Sequence, residues 1–307
     1  MEKLKFIFLA SRPKTLIISV SVFILSNSLS YYYKCIRWNE EYNLTLLLFT
    51  ICLLFILIQI LANYCNDYFD HINAVDLKER LGPTRLTNPK TLNLIKFTIN
   101  LNIILIICIS YFLLNFFQIN VFFFQINILI SLLFSFIYTG GSNPFGYKGL
   151  GEILVFISFG LLPMLIISSV YNYQFVSYFY SILLIIFSGF LSACVLITNN
   201  IRDQNTDAKS NKYSLTVLFG KNFTQIKYII LIMTGSLAPY IFILTRFNKN
   251  LLDLIILFVL FIKLKNLIKK NFTIMNLSEY NLLLVNTSSY LLLNSLYISI
   301  LLIYNSK

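Results

Sequence analysis

Long apolar runs separated by short polar connections recur along nearly the whole chain, and each is about as long as a membrane crossing. About 30 Å of hydrocarbon takes roughly 17–25 helical residues. Nine stretches qualify: 15–33, 43–65, 93–117, 121–139, 150–171, 175–198, 226–245, 250–268 and 285–304. Backbone amides cannot go unpaired in hydrocarbon, so each stretch is predicted to be a helix. The expected fold is all-α, a multi-pass bundle of about nine transmembrane helices in a single domain over 1–307. The connections are too short to hold a sizeable soluble domain. Gly82-Pro83 and the run Gly140-Gly141-Ser142-Asn143-Pro144 break the chain after spans 2 and 4, because proline cannot continue a helical ladder. Gly149-Leu150-Gly151 then opens span 5.

Composition agrees with a lipid bilayer as the solvent. The chain is 58% hydrophobic, with a mean hydropathy of +0.77. Its net charge of +12 would suit a nucleic-acid partner, but the distribution of that charge argues against one. Basic residues gather before span 1 and in alternate connections, including Lys78, Arg80 and Arg85 after span 2, Lys148 after span 4, and Arg202, Lys209 and Lys212 after span 6. The opposite connections hold only Lys34, Arg37, Arg246 and Lys249, with Lys307 at the end. By the positive-inside rule the N-terminus faces the cytoplasm. The first residues lead into a full-length span, so no cleavable signal peptide is expected. Five cysteines show no metal-ligand spacing and read as small core residues.

The polar residues that break the pattern most sharply are five aspartates in two short runs at helix ends. The first run is Asn66-Asp67-Tyr68-Phe69-Asp70, with Asp76 beyond it; the second is Asn199-Asn200-Ile201-Arg202-Asp203, followed by Asp207. Only 12 residues of the chain are acidic, and a carboxylate at mid-bilayer costs about 2.5–3.5 kcal/mol on insertion scales. Helical spacing places Asn63, Asn66, Asp67 and Asp70 on one face. Asn199, Asp203 and Asp207 form a second stripe if that helix continues far enough. Two facing stripes of hard oxygen donors suit Mg²⁺, which shares its coordination with substrate phosphates. A single histidine, His71, and scattered cysteines make a soft-metal site a poor fit. The bland alternative is ion pairing of these acids with nearby arginines and lysines at the membrane surface. Basic residues in the same connections could close over an anionic substrate. Aromatic side chains near the motifs, among them Tyr138 and Tyr147, offer π faces to a cation.

With those residues in hand, the chain resembles the UbiA superfamily of intramembrane prenyltransferases, and within it the 1,4-dihydroxy-2-naphthoate prenyltransferases. The resemblance runs through Ala10-Ser11-Arg12-Pro13-Lys14-Thr15-Leu16, the Asn66–Asp76 run and Leu81-Gly82-Pro83-Thr84-Arg85. It continues through Tyr138-Thr139-Gly140, Gly146-Tyr147-Lys148-Gly149-Leu150-Gly151-Glu152 and Asn199–Asp207. Asp76 lies six residues after Asp70, and Asn-Asn-x-Arg precedes the second acidic run, as in the naphthoate branch. Asn88 stands where relatives often have Gln, and Glu152 where many have Asp, which leaves the quinone acceptor open. Beyond Asp207 no further motif matches, including Glu279-Tyr280-Asn281.

The resemblance implies a site for two Mg²⁺ ions. Asn66, Asp67 and Asp70 would hold one, and Asp203 with Asp207 the other. It also implies binding of a polyprenyl diphosphate and 1,4-dihydroxy-2-naphthoate through Arg12, Lys14, Asn63, Asp76, Lys78, Arg80, Arg85, Tyr138, Lys148, Asn199, Asn200, Arg202 and Lys209. The implied reaction yields demethylmenaquinol on the cytoplasmic side of the inner membrane, with loss of diphosphate and CO₂. Another aromatic acceptor, 4-hydroxybenzoate or homogentisate, is the alternative within the fold. A membrane transporter is the alternative outside enzymology, weakened because the acids lie at helix ends rather than at the midplane.

Overall fold

The structure is a computed structural model that describes residues 2–34, 43–73, 89–117, 119–172, 178–246, 251–274 and 276–306. Every regular element among them is helical: α1 (Glu2–Ala10), α2 (Pro13–Tyr32), α3 (Leu44–Ile72), α4 (Pro89–Phe116), α5 (Val121–Ile137), α6 (Gly151–Phe156), α7 (Leu162–Val170), α8 (Phe179–Lys209), α9 (Leu215–Arg246), α10 (Leu251–Thr273) and α11 (Tyr280–Tyr304). A π-helical segment, Ile157–Leu161, fuses α6 to α7, and one 3₁₀ turn, Phe145–Lys148, leads into α6. Seven helices or fused helices among the described residues are long and apolar enough to cross a membrane. The two other expected spans also form helices. α5 has 17 residues, and α10 carries Asp253, Lys263 and Lys265 within its apolar stretch.

The helices pack around a ring. α2 lies against α3 and α11, α3 against α5, α5 against α7, and α8 against α6 and α11, while α4, α9 and α10 lie on α3, α8 and α11. Burial follows that order: 78% of the span window in α8 is buried, against 22% in α4. Hence α8 is the central strut and α4 an outer, lipid-facing helix. Its position explains one departure from expectation. Cys65 and Cys194 are buried, but Cys108 on α4 is exposed because that face meets no protein. Cys35 lies outside the described residues.

Two sequence features bend this scaffold around a space. Pro163 has no N–H to return to the preceding turn, and the π-helical segment sits immediately before it, with Ser158, Phe159, Leu162 and Pro163 on a cavity wall. Beside the bulge, Gly160 brings α8 close: a Cβ there would lie 2.8 Å from the Ile185 carbonyl oxygen and 3.1 Å from Gly189 Cα. Backbone cannot yield as a side chain can. Gly160→Val is therefore expected to destabilise the protein by about 1–3 kcal/mol through overpacking. Thermal unfolding in detergent tests this, and an unchanged melting temperature would refute the close approach.

Both acidic runs fold as direct continuations of the membrane helices. α3 extends to Ile72 and α8 to Lys209, beyond the apolar stretches that end near 65 and 198. The conditional second stripe therefore exists, because α8 carries Asn199, Asp203 and Asp207 on one continuous helix.

Candidate active site

The ends of α3 and α8 meet at one cavity of about 190 Å³. Its polar end is lined by Arg12, Asn63, Asn66, Asn199, Asn200, Arg202, Asp203, Asp207 and Lys212. Its other end runs into apolar wall contributed by Ile18, Val22, Phe55, Ile58 and Ile166. The acids are deeply placed, with Asp67 at 4%, Asp70 at 0%, Asp203 at 4% and Asp207 at 2% exposure. So much buried carboxylate requires compensation, and each acid has it.

Arg12 serves the first run from 55 residues away in sequence. Its Nη2 lies 2.5 Å from Asp67 Oδ1. The surrounding donors and acceptors orient the Asn66 amide with its oxygen toward Arg12 Nη2 and Nη1 (2.7 and 3.1 Å) and its nitrogen toward Asp70 Oδ2 (3.2 Å). Arg12 holds φ 55 and ψ 60 at the N-cap of α2. That left-handed conformation costs a non-glycine residue about 1–3 kcal/mol, and such strain persists only where surroundings fix it. Here the Arg12 carbonyl accepts from Thr15 Oγ1 (2.9 Å), and the Ser11 carbonyl accepts from Asn63 Nδ2 (2.9 Å). Deeper along the cavity wall, Gln59 ties α3 to α2 by donating to the Thr15 carbonyl (2.8 Å) and accepting from Ser19 Oγ.

The second run is braced differently. Arg202 grips its neighbour Asp203 with a two-point fork, Nε to Oδ1 at 2.8 Å and Nη2 to Oδ2 at 2.7 Å. Its Nη1 donates to Asn281 Oδ1 on α11 at 2.7 Å. Asn200 donates to Glu152 Oε1 (3.4 Å), and Lys227 approaches the same carboxylate at 3.9 Å.

Lys212 joins the two runs. Its Nζ lies 3.4 Å from Asp70 Oδ2 and 4.0 Å from Asp207 Oδ1. Tyr147, on the 3₁₀ turn, donates to Asp70 Oδ1 at 2.7 Å. Burial, with the Asp70 charge beside it, pushes the Tyr147 phenol well above its ordinary pKa and keeps it a donor. Tyr138 reaches the cavity because two glycines leave room for its ring. A Cβ at Gly146 would come within 3.2 Å of that ring, and one at Gly151 within 3.3 Å.

Other residues expected at the site fall elsewhere. Lys14, Lys148 and Lys209 are exposed and do not line the cavity. Asp76, Lys78, Arg80 and Arg85 lie outside the described residues. Sequence reasoning gave no role to Gln59, Lys227 or Asn281. Gln59 offered a usable signal, an amide one turn before Asn63 inside a mainly apolar span. Asn281 offered none, because asparagine is common throughout this chain.

A model of the UbiA prenyltransferase family matches residues 33–271. The 1,4-dihydroxy-2-naphthoate octaprenyltransferase of Haemophilus influenzae is 32% identical over 247 residues, covering 77% of this chain and 76% of its own. The chain belongs to the UbiA prenyltransferase family. Its fold agrees with that of solved structures. A solved structure of a digeranylgeranylglyceryl phosphate synthase superposes with a TM-score of 0.61 at 20% identity, covering 99% of this chain and 100% of that one. A UbiA homolog from Archaeoglobus fulgidus, solved with DMAPP and Mg²⁺ bound, gives a TM-score of 0.52 at 13% identity, covering 95% and 98%.

The donor set of this UbiA-family cavity fits a hard divalent cation. Among the described residues no three His, Cys, Asp or Glu side chains cluster as a ready-made metal cage. Mg²⁺ does not need one, since it is usually bound through one or two carboxylates together with waters and substrate phosphates. Asp203 and Asp207 line the cavity and supply those carboxylates; Asp67 and Asp70 do not line it but pair with Arg12 and Lys212, which do.

Proposed function

We propose that this UbiA-family prenyltransferase transfers a polyprenyl group from its diphosphate to 1,4-dihydroxy-2-naphthoate, using Mg²⁺. The observation that carries the reading is the shared cavity, lined by Asp203 and Asp207 of α8 and Asn63 and Asn66 of α3 together with apolar side chains, while Asp67 and Asp70 pair with the lining residues Arg12 and Lys212. The name of the Haemophilus influenzae relative supports the naphthoate acceptor. Asn66, Asp67 and Asp70 would hold one ion, and Asp203 with Asp207 a second. When bound, the ions supply positive charge to the departing diphosphate. Arg12 and Arg202, already fixed at the cavity rim, add electrostatic stabilisation of that developing charge without reorganising.

In this reading the prenyl tail lies along Ile18, Val22, Phe55 and Ile166. The allylic carbon–oxygen bond breaks with its electron pair passing to diphosphate. The acceptor's carboxyl-bearing ring carbon forms the new carbon–carbon bond, and the carboxylate leaves as CO₂, giving demethylmenaquinol. Closed walls matter because water would trap the allylic cation as an alcohol. Tyr138 places a π face at the same cavity, where it can stabilise that cation. The charge distribution supports a cytoplasmic-membrane location with the acid-bearing ends facing the cytoplasm.

The test is mass spectrometry of the lipid product formed by purified membranes from defined acceptors. Prenylated, decarboxylated naphthoate product is expected with Mg²⁺, and chelation should reduce its formation by at least about 10²-fold. Preference for 4-hydroxybenzoate or homogentisate would overturn the acceptor assignment, and undiminished turnover in chelator would overturn the metal assignment.

A further inference from the structure

We infer that Lys212 is a built-in counter-ion that competes with divalent cations for Asp70 and Asp207, so that ion entry frees the turn closing the end of α8. The inference rests on the proposed function for the identity of the ion. It goes further by giving a role to a residue in neither acidic run.

The geometry is specific. Lys212 Nζ bridges two helices at 3.4 and 4.0 Å from their carboxylates, and its side chain is only 8% exposed. The residue reaches that position because Asn211, at φ 56, reverses the chain just after α8. Asparagine tolerates this left-handed conformation better than most residues. The Lys212 N–H then donates to the Asp207 carbonyl at 3.0 Å, folding the lysine back over the helix that carries Asp207. On the other side Nζ lies 5.4 Å from the centre of the Tyr147 ring. The Tyr147 carbonyl accepts from the Tyr213 N–H at 3.1 Å, so two turns close together around one ammonium.

Lys212 therefore touches one expected ligand of each ion. Its hold differs from that of Arg202, whose planar fork fixes Asp203 at two points. A lysine is a compact charge on a flexible stem and can move away without breaking a bidentate arrangement. Mg²⁺ carries twice the charge and sits about 2.0–2.1 Å from its oxygens. Coulomb attraction scales with charge over distance, so an ion on either carboxylate outcompetes an ammonium at 3.4–4.0 Å. The displaced Nζ must leave the pair, and the 210–214 turn moves with it.

Residue-resolved amine acylation of the wild-type protein, read by mass spectrometry with chelator and with Mg²⁺, tests this directly. Mg²⁺ is expected to raise Lys212 modification severalfold relative to exposed Lys209. Unchanged or reduced Lys212 modification, at Mg²⁺ concentrations that shift the melting temperature, overturns the counter-ion role and leaves the proposed function standing. A protein whose melting temperature ignores Mg²⁺ altogether overturns both. Titration calorimetry on variants supplies an independent readout. Lys212→Met, purified in Mg²⁺, should bind the ion severalfold more tightly than wild type, whereas Lys212→Arg should not. Equal or weaker binding by Lys212→Met would contradict the competition. If that variant fails to fold, the wild-type labelling decides alone.

Discussion

Replacing Asp67 or Asp203 by asparagine is expected to lower prenyl transfer by about 10²–10³-fold while the protein still inserts and folds, the range seen when one preorganised electrostatic group is removed. The amide keeps the volume and one oxygen that still accepts from the arginine, so these variants lose less stability than one in which a partner of the pair is removed outright. What changes is charge. Asp67→Asn leaves Arg12 next to a neutral side chain, and Asp203→Asn does the same for Arg202. Each variant thus swaps an anion that attracts divalent cations for a neutral group beside a guanidinium that has lost its carboxylate neighbour. Transfer should be slower at saturating substrate, and the Mg²⁺ concentration needed for half-maximal rate should rise. Steady-state kinetics at several Mg²⁺ concentrations decides the matter. Full activity in both correctly inserted variants would remove the metal-assisted reading.

A second large effect is expected on stability. Arg202→Met should cost about 3–5 kcal/mol, because removing one partner of a buried ion pair takes the two-point fork from the Asp203 carboxylate. Both partners are buried, with side chains 6% and 4% exposed, so solvent screening offers little relief. The substitution also strips Asn281 of its contact, loosening the tie between α8 and α11. Adding Asp203→Leu to that variant should recover a substantial part of the loss, since the buried carboxylate that lost its guanidinium is then gone. Unfolding by denaturant in mixed micelles gives the comparison. An Arg202→Met protein that unfolds at the wild-type midpoint would mean that Asp203 finds its compensation elsewhere.

The sequence determined the properties that depend on neighbours along the chain. Hydrophobic runs fixed where helices form, since an apolar stretch in lipid must satisfy its own backbone. The 3.6-residue period placed Asn63, Asn66, Asp67 and Asp70 on one face of α3, and Asn199, Asp203 and Asp207 on one face of α8. The motifs also carried the resemblance to the family, because they are set by residue order and spacing along the chain alone.

Only the tertiary structure decided which charges meet. Arg12 and Asp67 are 55 residues apart, Lys212 and Asp70 142 apart, and Arg202 and Asn281 79 apart. No local period links such residues; helix packing brings them together. The same packing separated look-alike lysines, burying Lys212 between two helices while Lys14, Lys148 and Lys209 stayed exposed. A lysine in a connection between membrane helices satisfies the positive-inside rule wherever it points. Its charge acquires a specific partner only when the fold brings a carboxylate within a few ångströms and excludes water from between them.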